Sequence, residues 1–137
     1  MIYENPDEDN GKYEGNGETV LLVEDDPMIL QMSKHFIESL GYNSILANSP
    51  EEAMRISKQY PDKIDILISD VIMPDMNGRE LAENIQTERP EIKCLFMSGY
   101  TANVIAHRGI IDEGVDFIQK PFSLNSFGKK IREVLDE

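Results

Sequence analysis

The residues of this 137-residue chain best suited to chemistry are acids, a hydroxyl and an ammonium, and each follows a short apolar run. Glu24, Asp25 and Asp26 follow the run Thr19–Val23. Ser69 and Asp70 close the run over 64–69, Ser98 follows 92–97, and Lys120-Pro121 comes just after 115–118. Carboxylates gathered in one crevice repel, so a proton or a cation must neutralise them. A hard divalent ion with oxygen ligands does this, and Mg²⁺ is bound by a few carboxylates with room left for a phosphate oxygen. A carboxylate is also a competent nucleophile for making an acyl phosphate. Phosphoryl transfer asks mainly for positioning and for neutralisation of the equatorial oxygens. A cation, Lys120 and the Ser98 hydroxyl with nearby backbone N–H groups would divide that task. Singly, each residue has a plainer explanation: acids before a helix cap it, and an Asp after a strand is a turn residue. Their recurrence at successive strand ends marks a site, because chance would scatter them over both edges of a sheet.

Such a crevice requires parallel strands, and the pattern supplies them. Thr19–Val23 reads as a strand, followed by Asp26-Pro27 as cap and first-turn proline of a helix. Ile29, Met32, Phe36 and Leu40 place one apolar stripe on that helix, and Gly41 stops it. Asn43–Ala47 is a second strand. Ser49-Pro50-Glu51-Glu52 has the form of a capping box, with Ala53, Ile56 and Tyr60 on the inner face of the helix it opens. A third strand spans 64–69, and Asn77-Gly78 starts a helix with Leu81 and Ile85 facing in and Pro90 beyond it. A fourth strand covers 92–97, a poorly patterned helix 102–112, and a fifth strand 115–118. Ser123 caps a last helix carrying Leu124, Phe127, Ile131, Val134 and Leu135. Strands alternating with helices imply a parallel sheet covered on both faces. Right-handed crossovers leave an α/β, flavodoxin-like doubly wound (βα)5 fold with five strands in the order 2-1-3-4-5 as the expectation.

Composition narrows the function. Hydrophobic residues make up 40% and charged residues 28%, which is globular, and the net charge of −13 argues against nucleic-acid binding. Residues 1–17 are acidic and glycine-containing, with Glu4, Asp7, Glu8, Asp9 and Glu14 against Lys12, and read as a flexible linker or tail before a domain at 18–137. No apolar run is long enough to span a bilayer, no signal peptide is evident, and the single cysteine fits a reducing compartment, so the expected location is the cytoplasm without membrane contact. His35 and His107 lack metal-ligand spacing and read as solvent-facing. Cys94 alternates with apolar neighbours and reads as a buried small hydrophobe.

Residues 20–27 (VLLVEDDP), 67–78 (LISDVIMPDMNG), 96–101 (FMSGYT) and 120–122 (KPF) closely resemble the receiver domains of two-component signalling. The resemblance covers about 18–137 and implies that Asp70 is the phosphorylation site. It further implies that Asp25 ligates Mg²⁺ (with Mn²⁺ as an alternative), that Glu24 does so directly or through water, and that Asp70 and the backbone carbonyl of Ile72 complete the ligands. By the same resemblance Ser98 is the switch hydroxyl, Lys120 pairs with the phosphate, Lys120-Pro121 is a cis peptide, and Asp26 is a cap. Phe117 matches the family's aromatic switch, beside a plainer reading as a core aromatic. Phosphorylation would then shift the population between two states of the surface built from the fourth helix, fifth strand and last helix. The segments before Val20 and around Ser98 look like receivers fused behind histidine kinases. The implied partners are a phosphohistidine domain, in the same parent chain if this is the receiver of a hybrid sensor kinase, and a histidine phosphotransfer protein, with the domain a monomer or weak dimer.

Two other functions fit these residues less well. A haloacid dehalogenase-like phosphatase would need a second Asp two residues after the nucleophile as acid/base, and that position is Ile72. A phosphorylation-independent pseudo-receiver scaffold would lack one of the site residues, and none is missing. Ile72 and Tyr100 are bulky where some receivers carry small or polar residues. The phosphoryl group is therefore expected to be long-lived, with its half-life shortened by Tyr100→Glu or Ile72→Asn. A half-life shortened by neither would overturn that expectation.

Overall fold

The computed structural model describes residues 14–99 and 115–137. The expected helix over 102–112, with Tyr100, Thr101 and His107, lies outside the described residues, as do residues 1–13. Five strands form one parallel sheet in the order β2-β1-β3-β4-β5. They are β1 (Thr19–Val23), β2 (Asn43–Ala47), β3 (Ile66–Asp70), β4 (Lys93–Ser98) and β5 (Phe117–Gln119). The described helices are α1 (Pro27–Ser39), α2 (Pro50–Gln59), α3 (Gly78–Glu88) and α4 (Leu124–Leu135). The winding reverses between β1 and β3, where Val23 pairs with Ser69. This is the expected flavodoxin-like order.

The strand sequences explain the two-sided core. Alternate residues point to opposite faces, and in β1 and β3 both sets are apolar. Val20, Leu22, Ile66 and Ile68 pack with Leu95, Met97, Ile37, Phe127, Ile131 and Val134 toward α1 and α4. Leu21, Val23 and Leu67 pack with Val71, Leu81, Ile85 and Phe96 toward α2 and α3. Central strands apolar on both sides can only be buried on both sides, which is why the sheet is covered by helices.

Three strands are shifted from the expected bounds. Ile64 and Ile92 are buried but precede the ladder, because Ile66 is where β3 begins to pair with both Val20 and Lys93. β5 is three residues long, starting at Phe117 rather than at residue 115, because its ladder spans only Phe96 to Ser98 of β4. On α1 the innermost residues are Leu30, Ser33 and Ile37. Met32 and Phe36 flank that line and Ile29 is half-buried. The stripe is turned because Phe36 leans toward α4, with ring centroids 6.2 Å from both Phe122 and Phe127. The Ser49 hydroxyl accepts from the Glu52 N–H, while the Glu52 carboxylate accepts from Asn48, one residue earlier than a reciprocal capping box would have it.

Candidate functional site

Four of the five strands, β1, β3, β4 and β5, lead into a polar residue at the carboxyl edge. After β1 the Asp26 carboxylate accepts from the Met28 and Ile29 N–H groups and starts α1. That capping role directs Asp26 away from the acidic pair before it. Glu24 is 1% exposed, and Asp25 is exposed. β3 ends in Asp70, 8% exposed, with the buried Ser69 hydroxyl donating to the Asp70 carbonyl. Ser98 ends β4, buried, and its carbonyl accepts from the Lys120 N–H at 2.8 Å. The Lys120-Pro121 peptide is cis.

Glu24, Asp25 and Asp70 each offer a carboxylate oxygen, and these oxygens lie within 4.8 Å of one another. The Lys120 ammonium sits 2.5 Å from Glu24 Oε1 and 3.1 Å from Asp70 Oδ1. Burial pushes the Glu24 carboxyl up to about 7, the Asp70 charge adds to this, and the Lys120 hydrogen bond opposes it. Burial also raises Asp70, with Lys120 opposing and the Asp25 charge adding. For Lys120 burial acts to lower the ammonium, but the hydrogen bond to Glu24 and the charge of Asp70 outweigh it and hold it above the usual lysine value. Two buried carboxylates and a third at the rim therefore face one ammonium, leaving more negative charge than Lys120 neutralises. An all-oxygen acidic cluster of this kind fits a divalent cation. A cleft of about 200 Å³ opens beside Asp25, between Ser49 and Pro50 on one side and Pro74 to Met76 on the other.

Ile72 is 46% exposed at the rim. Phe117 is half-buried, packed against the core on the α2 and α3 side of the sheet. His35 is exposed. Cys94 is half-buried rather than fully buried, accepts from the Gln86 amide at 3.5 Å, and burial pushes its thiol up to about 11. Sequence reasoning assigned Lys120 to an incoming phosphate and missed its grip on Glu24, a contact between residues 96 apart in the chain. It also read Gly78 only as a helix opener. Gly78 sits beneath the site: its N–H donates to the Val71 carbonyl at 2.7 Å, and a Cβ there would collide with the Asp70 carbonyl oxygen. The Asn77-Gly78 pair was the available signal.

Comparison with known proteins decides which acidic crevice this is. The family profile for the response regulator receiver domain matches residues 20–132. The chain belongs to that family. Receiver domains are signalling modules of two-component systems that take a phosphoryl group on an aspartate; they are not classed as enzymes, so the phosphatase alternative falls away. The chain is 35% identical over 119 residues, 87% of its length, to the sensor kinase CckA of Brucella abortus, of which it spans 13%. It is 26% identical over 122 residues, 89% of its length, to the probable transcriptional regulatory protein TcrX of Mycobacterium tuberculosis, of which it spans 51%. Among solved structures, the receiver domain of the hybrid histidine kinase CckA matches with a TM-score of 0.71 at 28% identity, covering 85% of this receiver and 98% of that one. The similarity to a sensor kinase bears out the resemblance to hybrid-kinase receivers. No helix among the described residues is long and apolar enough to cross a membrane.

Proposed function

We propose that Asp70 is the phosphoacceptor of this receiver and that a phosphohistidine is the donor. A carboxylate oxygen of Asp70 attacks phosphorus, the P–N bond to the imidazole breaks, and the imidazole nitrogen keeps the electron pair and takes a proton. The observation that carries this reading is the Lys120 ammonium 3.1 Å from Asp70 Oδ1, in an acidic crevice at the carboxyl edge of the sheet. Lys120 would pair with a phosphoryl oxygen on Asp70, and Ser98, at the end of the adjacent strand, would offer its hydroxyl to another. Glu24, Asp25, Asp70 and the backbone carbonyl of Ile72 would hold Mg²⁺, with Mn²⁺ as the alternative. When bound, the ion supplies neutralisation of the phosphoryl oxygens. Glu24 additionally anchors Lys120, so the ammonium stays at the site in the absence of phosphate.

Ser98 and Phe117 would form the switch, and the similarity to a sensor kinase supports a donor domain upstream in the same parent protein. A histidine phosphotransfer protein is the candidate recipient. In that arrangement residues 1–17 connect the receiver to what precedes it. Incubation with acetyl phosphate and Mg²⁺, borohydride reduction of the acyl phosphate and peptide mass mapping test the acceptor. The modification is expected on Asp70 and is expected to disappear with a chelator. Its appearance on Asp25 or Glu24 instead would overturn the assignment.

A further inference from the structure

The chain leading into β1 is held where a free linker was expected. Residues 14–18 run across the amino edge of the sheet, over the turn between α1 and β2. The Gly15 N–H donates to the Leu40 carbonyl at 2.5 Å and the Gly17 N–H to the Gly41 carbonyl at 3.3 Å. Leu40 is the C-cap of α1, where helix carbonyls lack intrahelical donors, and Gly41 is the residue after it. The lead-in segment thus completes the helix terminus. In return the Asn43 side chain donates to the Gly17 carbonyl at 2.9 Å and the Asn43 N–H to the Glu18 carbonyl at 2.9 Å.

Backbone can pass this close only without side chains. A Cβ on Gly15 would fall 2.4 to 2.8 Å from the Tyr42 ring, which is itself buried, and one on Gly41 would lie 3.2 Å from the Gly15 carbonyl oxygen. Gly41 and Gly17 both have positive φ, at 89° and 83°. The other side of the segment is gripped by α4. Arg132 donates from Nη2 to Glu18 Oε2 at 2.9 Å and from Nη1 to the Glu14 carbonyl at 3.5 Å, while Asp136 steadies the same guanidinium at 2.9 Å. Glu18 closes the turn by accepting the Asn16 N–H on its other oxygen, Oε1, at 2.6 Å.

We propose that residues 14–18 are a latch, closed by Arg132 of α4 and by the Leu40 and Gly41 carbonyls that follow α1, that fixes where the preceding chain joins the domain. The latch lies at the edge of the sheet opposite Asp70. The domain therefore begins at Glu14, against α1 and α4, rather than at Thr19, and the attachment point of the preceding chain is held by a charged contact to α4. The inference concerns the connection alone and stands whether or not Asp70 is the acceptor.

Amide hydrogen exchange of the full chain, read residue by residue, tests it. The Gly15 and Gly17 amides are expected to exchange at least about tenfold more slowly than in an unstructured peptide. Arg132→Gln, Glu18→Gln and Gly15→Val are each expected to return both amides toward the unprotected rate, while the amides of Leu22 and Ile68 stay protected and report an intact sheet. Unprotected glycine amides in the wild type, or protection that survives Arg132→Gln and Glu18→Gln in a folded sheet, would overturn the latch.

Discussion

Replacing Asp70 with asparagine is expected to abolish phosphoryl uptake from acetyl phosphate while leaving the fold at least as stable as the wild type without added metal. The loss is complete because an amide oxygen is not a nucleophile toward phosphorus under these conditions and no neighbouring carboxylate shares the position of Asp70. Glu24 is committed to Lys120 at 2.5 Å, and Asp25 is exposed beyond the end of β1. The stability expectation follows from the charges. Burial holds the Asp70 carboxyl above the usual range, which means the folded chain disfavours its ionised form. Asparagine keeps the shape and removes that charge, and Lys120 retains Glu24 as its partner. Intact mass after incubation reads the first effect and thermal melting in chelator reads the second. A phosphorylated species in Asp70→Asn would move the acceptor elsewhere. A melting temperature well below wild type would mean that Asp70 stabilises the metal-free fold, contrary to the electrostatics. The thermal stabilisation by Mg²⁺ expected of the wild type should also shrink in this variant, since one ligand is lost.

The second large effect is structural and has the opposite sign from what local rules suggest. Alanine normally stabilises a helix relative to glycine, by roughly 0.5–1 kcal/mol in the interior. At Gly78 it is expected to destabilise toward the upper end of the roughly 1–3 kcal/mol that overpacking costs. The added methyl would meet the Asp70 carbonyl oxygen, with Phe96 Cδ1 and Val71 Cα both at 3.2 Å. Two of these three neighbours are backbone and cannot swing aside. A fall in melting temperature of roughly 10 °C follows for a domain of this size. The displaced Asp70 backbone should also slow phosphorylation. Gly99→Ala is the control, since nothing among the described residues lies within 4 Å of a Cβ there. Equal melting temperatures for the two variants would show that α3 can retreat from β3, contrary to the close approach seen here.

Much of the site could be read from the residues because receiver chemistry is written at the ends of strands. The acids after β1, Asp70 and Lys120 each stand at a boundary between an apolar run and a turn, and those boundaries follow from local pattern. Helix starts were equally legible: Asp26, Asn77 and Ser123 all accept the N–H groups their positions imply. Strand limits were less so, because a strand in a parallel sheet ends where its neighbour ends, and the neighbour is distant in sequence. Val20 and Lys93 together determine that β3 begins at Ile66 and not at Ile64. The turned stripe of α1 has the same origin, since Phe36 is drawn aside by Phe122 and Phe127.

The alternation of elements, the two-sided burial of the central strands and the identity of the acids and the lysine at their carboxyl ends are all legible in the residue order. These depend on residues near one another in the chain, where periodicity and capping act. The sharing of Lys120 between Glu24 and Asp70, the need for a bare glycine at position 78 beneath Asp70, and the fastening of residues 14–18 by Arg132 emerge only when the layers are assembled. Each of these is a contact between distant segments. Charge placement and close packing there depend on how the layers settle against one another, which no local pattern encodes.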